Sequence, residues 1–163
     1  MRSLQRLLLG SLLLAACDKT PSPQPAAESP AAEPAPAARA QAEPAKPTVE
    51  DNTFKLSLAP APGYTGGKEG AVELKLEARG GYHVNQDYPI RVDLKAPGDV
   101  KLDKTTLGKP DAAQFSEASA RFSLPFSATA GAHELTATVD FAVCTKETCL
   151  PDQRTVALAL QVK

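Results

Sequence analysis

Two cysteines near the end of the chain have the spacing most suggestive of chemistry. Cys144 and Cys149 stand in Asp140-Phe-Ala-Val-Cys-Thr-Lys-Glu-Thr-Cys-Leu-Pro151. The run that ends at Cys144 alternates apolar and polar residues as a strand does, four polar residues follow, and Cys149 opens the last such run. The two sulfurs are therefore expected to face each other across the mouth of a hairpin. Directly opposed residues in a non-hydrogen-bonded antiparallel pair have Cα atoms about 4.5 Å apart, at the lower edge of disulfide geometry, where strain raises the reduction potential.

Three chemistries fit thiols so placed: reversible thiol–disulfide exchange, a structural disulfide, and metal binding. Exchange needs one accessible, partly ionised cysteine. Lys146 favours a thiolate and Glu147 opposes it, and the plainer reading of Lys146 is a solvated turn residue. As a staple, the bond closes a loop of about six residues and removes roughly 2 kcal/mol of unfolded-state entropy, against about 4.7 kcal/mol for a 100-residue loop. A staple securing a two-layer fold would join the layers, whereas this one spans a single turn. For metal binding the partners would be His83 and His133, whose spacing from the cysteines matches no common zinc finger or ribbon. The single Met is the initiator, so no thioether set for copper exists, and no metal or cofactor is expected. Nucleophile elbows, phosphate loops and H-E-x-x-H are absent from the sequence.

The elements that must position the cysteines are strands. Phe54, Leu56 and Leu58 alternate with polar residues, as do Val72 to Ala78, Ile90 to Leu94, Phe122 to Phe126, Leu135 to Val143 and Val156 to Val162. Turn formers separate them: Ala-Pro-Gly at 61–63 and 96–98, Gly66-Gly67, Gly80-Gly81, Gly108 with Pro110, and Gly131. Six or seven short strands in about 110 residues predict an all-β domain, an immunoglobulin-like antiparallel β-sandwich. A small barrel is the alternative.

That domain spans residues 52–163, and its 13 basic and 13 acidic residues cancel. Over the whole chain, 18 Lys and Arg oppose 19 Asp and Glu, which argues against nucleic acid as a partner. Residues 18–51 hold 8 Pro and 10 Ala among 34 positions and no aromatic residue. Such a segment builds no core and is expected to be a disordered, semi-stiff spacer, on the order of 100 Å when stretched.

Residues 1–16 read as an export signal: Arg2 and Arg6 precede a Leu-rich run from Leu7 to Leu14, too short to span a bilayer. Leu14-Ala-Ala-Cys17 resembles the lipobox of bacterial lipoproteins. That resemblance implies cleavage before Cys17, diacylglyceryl transfer to its sulfur and acylation of its new amino group. The mature chain would be held at a bacterial cell membrane facing the periplasm, with a lipid bilayer as its first partner. An exported chain meets an oxidising compartment, so Cys144 and Cys149 are expected to pair for at least part of the time.

The run Phe-Ala-Val-Cys144-Thr-Lys-Glu-Thr-Cys149-Leu-Pro, with Arg154-Thr-Val156 after it and Gly81-Tyr-His-Val84 and Phe122-Ser-Leu-Pro-Phe126 before it, resembles the N-terminal periplasmic domain of the thiol:disulfide interchange reductase DsbD. The likeness covers most of residues 70–163 and is strongest from Gly131 onward. It implies an immunoglobulin-like fold and a redox role for Cys144 and Cys149, exchanging electrons with membrane or periplasmic thiol–disulfide oxidoreductases. It further implies a cap over the pair, with Phe115 in the corresponding segment, and looser matches at Tyr82 and His83. The cysteine spacing is one residue shorter than is usual in that family. The chain carries neither a multi-span membrane conduit nor a thioredoxin-like Cys-x-x-Cys, so separate proteins would supply and receive electrons. The rival reading is a non-enzymatic envelope binding or assembly lipoprotein whose disulfide only fixes the hairpin. A monomer is expected in either case.

Overall fold

A computed structural model describes residues 46–163. The signal segment, Cys17 and the spacer up to residue 45 lie outside the described residues. Eleven strands follow in order: β1 (Thr48–Glu50), β2 (Phe54–Pro60), β3 (Glu69–Ala78), β4 (His83–Val84), β5 (Arg91–Lys95), β6 (Val100–Leu102), β7 (Thr106–Gly108), β8 (Gln114–Phe115), β9 (Ser119–Ala128), β10 (Gly131–Cys144) and β11 (Cys149–Val162). A 3-10 turn, Lys109–Asp111, lies between β7 and β8. The ordered sandwich starts before residue 52, the boundary read from composition. Thr48–Glu50 pair with Ser57–Lys55 of β2, because Val49 still offers one apolar residue to the edge of the core.

One sheet runs β1-β2-β3-β9-β6, with β8 also on β9; the other runs β11-β10-β5-β7, with β4 also on β10. Every pairing is antiparallel. Taking β2, β3, β5, β6, β9, β10 and β11 as strands A to G gives A-B-E-D facing G-F-C. This is the strand order of the immunoglobulin constant-type sandwich, so the expected fold is the one observed.

The alternation seen in the sequence is the inward face of these sheets. Leu56 and Leu58 of β2, Val72, Leu74 and Leu76 of β3, and Phe122 and Leu124 of β9 meet Val92 of β5, Val139 and Phe141 of β10 and Val156 of β11. All are buried. Phe54 and Phe141 close the core at the cysteine end, edge to face with ring centroids 4.8 Å apart. The five short strands escaped the sequence reading because two- and three-residue segments carry no measurable period. They pair with long strands that do.

Candidate functional site

The hairpin β10–β11 is the longest feature of the molecule, with 14 residues in each strand. Its turn is Thr145-Lys-Glu-Thr148. The Thr145 amide donates to the Thr148 carbonyl at 2.8 Å, and the Thr145 hydroxyl accepts from the Glu147 and Thr148 amides at 3.2 and 3.1 Å. Because Thr145 and Thr148 form the hydrogen-bonded pair, the next pair inward, Cys144 opposite Cys149, is of the non-hydrogen-bonded kind. The two cysteines are disulfide-bonded, with Cα atoms 4.0 Å apart. An immunoglobulin-type staple would run between the sheets from strand B to strand F. Here the bond stays inside one hairpin of one sheet.

The two sulfurs have unequal surroundings. Phe141 and Val143 point into the core, so Cys144 belongs to the opposite, outward face of the sheet, together with Ala142. Outward residues of β10 are otherwise half-buried or exposed, yet Ala142 and Cys144 are each only 2% exposed. At that end β10 is flanked by β4, where His83 is the register partner of Cys144 and Val84 that of Val143. The Asn85 amide extends this ladder by donating to the Ala142 carbonyl at 2.9 Å. Cys149, on the edge strand of the sheet, is exposed, as are its neighbours Thr148 and Leu150.

Asn85 is the polar side chain that reaches the bond. Its Nδ2 donates to Cys144 Sγ at 3.2 Å and lies 3.5 Å from Cys149 Sγ. Its Oδ1 accepts from the backbone amides of Asp87 and Tyr88 at 2.8 and 3.1 Å. Two backbone donors on the oxygen leave the amide group one orientation, with the nitrogen on the sulfurs. Lys109 Nζ donates to the Gln86 carbonyl at 2.7 Å and pins the same loop.

The placement of β4 depends on the turn before it. Gly80 and Gly81 have φ of +60° and +83°, as a type I′ turn requires, and the Tyr82 amide closes the turn on the Arg79 carbonyl at 2.9 Å. On its far side β4 meets the β8–β9 turn, where the Val84 amide donates to the Glu117 carbonyl at 2.7 Å.

The other residues singled out in the sequence divide between this end of the sandwich and elsewhere. His83 lies opposite Cys144. Tyr82 is partly buried against the core. Phe115 of β8 pairs with Ala120 of β9, packs partly buried against the core and lies beneath Lys109 Nζ at 5.2 Å. Through Lys109 and Gln86 it is linked to the Asn85 loop; among the described residues the side chain that hydrogen-bonds the sulfurs is that of Asn85. His133 sits at the other end of β10, eleven residues from Cys144 along the strand, which is roughly 35 Å. It is buried, with Nε2 2.7 Å from the Thr129 carbonyl and Nδ1 3.2 Å from Asp99 Oδ2. It therefore does not join the cysteines. Among the described residues no group of three or more His, Cys, Asp or Glu is placed to hold a metal ion. None of the described helical segments is long and apolar enough to cross a membrane.

No family model matches the chain, and no curated protein matches it. Among solved structures it is similar to the GAE domain of GGA2p from Saccharomyces cerevisiae, at 11% identity and a TM-score of 0.34, over 68% of this chain and 95% of that one.

Proposed function

We propose that this chain is a membrane-anchored thiol:disulfide interchange module, akin to the N-terminal periplasmic domain of DsbD, whose working couple is Cys144 and Cys149. The observation that carries the reading is the unequal burial of one disulfide: Cys149 is exposed at the sheet edge, and Cys144 is buried behind it. Exchange requires in-line attack by an external thiolate on one sulfur. Cys149 is the sulfur an incoming protein reaches, and Cys144 is the leaving group and resolving thiol. The bond's position inside a single hairpin also supports the reading, since its reduction leaves the 14-residue ladder and the two-sheet core in place. The partners are membrane or periplasmic thiol–disulfide oxidoreductases. Acylation at Cys17 would keep the domain near them, and the Pro/Ala-rich spacer would let it search.

The test is trapping in the exporting cell. Cys144→Ser removes the resolving thiol and leaves the exposed one, so mixed disulfides with oxidoreductases accumulate on Cys149. Cys149→Ser gives few or none. Equal trapping by the two variants, or none by either, overturns the proposal. The rival, a binding module with a structural disulfide, has its own support: β11 is the edge of its sheet and presents exposed Leu150 beside the bond. On that reading, partner capture survives Cys144→Ser/Cys149→Ser.

A further inference from the structure

We infer that Asn85 is a catalytic residue of the disulfide, stabilising the Cys144 thiolate released when Cys149 is attacked and raising the reduction potential of the pair. The inference rests on the exchange reading above for its biological use, and on the Asn85 geometry for its chemistry.

An external thiolate from a dithiol protein bonds to Cys149 Sγ. The Cys144–Cys149 bond breaks, and its electron pair stays on Cys144 Sγ as a thiolate. The second thiolate of the dithiol then attacks the mixed disulfide, Cys149 leaves as a thiolate, and the dithiol is oxidised to a disulfide. Two electrons have passed to the pair, and the two new thiolates take up protons from water according to pH.

The first departure is the costly one. Cys144 is 2% exposed, and a thiolate formed there loses most of its water. It needs a donor already in place. Asn85 Nδ2 stands 3.2 Å from that sulfur in the oxidised state and cannot turn away, because its Oδ1 is held by two backbone amides. A neutral sulfur is a weak acceptor and a thiolate is a strong one, so the same contact strengthens as charge develops, which is the condition for catalysis. Stabilising the thiolate also favours the reduced form over the disulfide. The charged and titratable groups on the elements around the pair include His83 on β4 with Tyr82 before it, Lys146 and Glu147 in the hairpin turn, Asp87 and Tyr88 in the Asn85 loop with Lys109 on it, Glu117 in the β8–β9 turn, Asp140 on β10, and Asp152 and Arg154 on β11.

The decisive variant is Asn85→Asp. It is nearly isosteric and keeps an oxygen for the Asp87 and Tyr88 amides, but it replaces the donor on sulfur with carboxylate oxygen. Asn85→Ala removes donor and loop anchor together and serves as the second variant. For each protein, three quantities are measured: the equilibrium with graded thiol buffers, the rate of reduction by a small dithiol, and the pH at which a freed Cys144 thiol, in a Cys149→Ser background, becomes reactive to an alkylating agent. Asn85→Asp should lower the equilibrium constant for reduction about tenfold, a potential about 30 mV more negative. It should slow reduction by a similar factor and move the alkylation profile to higher pH. Asn85→Ala should shift all three the same way by less. Shifts below threefold in both variants, or a shift of opposite sign in Asn85→Asp, overturn the inference. The difference between variants tests Asn85, whereas the absolute potential of the unmodified protein tests the exchange reading, so the two can fail separately.

Discussion

Replacing both cysteines by serine asks directly whether the disulfide is what holds the sandwich together. The bond closes a loop of about six residues, and the chain-entropy relation gives a loss of about 7 cal/mol/K, or about 2 kcal/mol at 25 °C. Little else is lost. A serine hydroxyl at 144 can still accept from Asn85 Nδ2, so no buried donor is stranded there, and position 149 is exposed. The two-sheet core and the hairpin ladder contain no other covalent link and stay intact. For a domain of this size, about 2 kcal/mol corresponds to a drop of roughly 10 °C in Tm. The assay is urea and thermal unfolding of the oxidised protein, the reduced protein and Cys144→Ser/Cys149→Ser, followed by far-ultraviolet circular dichroism. The reduced protein and the double variant should agree and should unfold cooperatively. Loss of the β-signal at 25 °C without denaturant, or a cost beyond about 4 kcal/mol, would make the bond the fold's staple and refute the reasoning. A cost indistinguishable from zero would refute the entropy step.

Phe54→Ala removes a buried ring that sits edge to face on Phe141 at 4.8 Å and beneath the Arg154 guanidinium at 5.7 Å, and should cost about 3–5 kcal/mol in urea unfolding. Gly80→Ala places a methyl group on the Asn52 carbonyl oxygen at a left-handed φ, and should cost more than about 1 kcal/mol. It should also slow reduction of the disulfide, because a looser β4 no longer aims Asn85 Nδ2 at the sulfurs, which a stopped-flow comparison with Gly98→Ala, at a position open to solvent, will show. Three aspartates among the described residues, Asp51, Asp93 and Asp111, are held below the usual carboxylate range, Asp93 by hydrogen bonds from Arg91 and Thr106. Burial pushes the Asp51 carboxyl up, but hydrogen bonds from the Thr53 hydroxyl and the Thr53 and Phe54 amides outweigh it. Asp111 is held down by the Lys104 ammonium and then by the Gly108 amide. All three carboxyls titrate below their unfolded value near 3.9. Their stabilising contribution is fully present above that value and is lost as pH falls through the lower folded values. Tm measured from pH 7 to 2 should show that loss below about pH 4, and it should be smaller in Asp51→Asn/Asp111→Asn.

The sandwich was legible because its inward residues alternate over stretches long enough to read. Val72 to Ala78 and Leu135 to Val143 each show the period several times over, and the turns between strands are marked by Gly and Pro. The opposed cysteines were legible for the same reason, since two alternating runs and a four-residue polar break fix a hairpin register without reference to the rest of the chain. What decides the chemistry was less visible. Asn85 lies 59 positions before Cys144, and its aim at the sulfurs comes from a turn-held loop, a two-residue strand and a Gly-Gly turn acting together. Asn85-Gln-Asp87 does signal a side-chain-to-backbone turn, but not what the free end of the amide touches. The inequality of Cys144 and Cys149 was hidden as well. Parity alone places both on the outward face, and the difference lies in their place in the sheet, Cys144 on a strand flanked by β4 and β11 and Cys149 on the edge strand. Phe115 was read as a cap from family likeness; its strand pairing with Ala120 was beyond a two-residue period.

Thiol–disulfide exchange by this domain requires that the Cys144–Cys149 bond be a working couple. The direct measurement is its reduction potential, by thiol alkylation and mass after equilibration in graded thiol buffers. For a working couple the expected value lies between roughly -270 and -120 mV, where proteins that trade disulfides lie. A value below about -300 mV would mark a bond built to resist reduction and would exclude the exchange role.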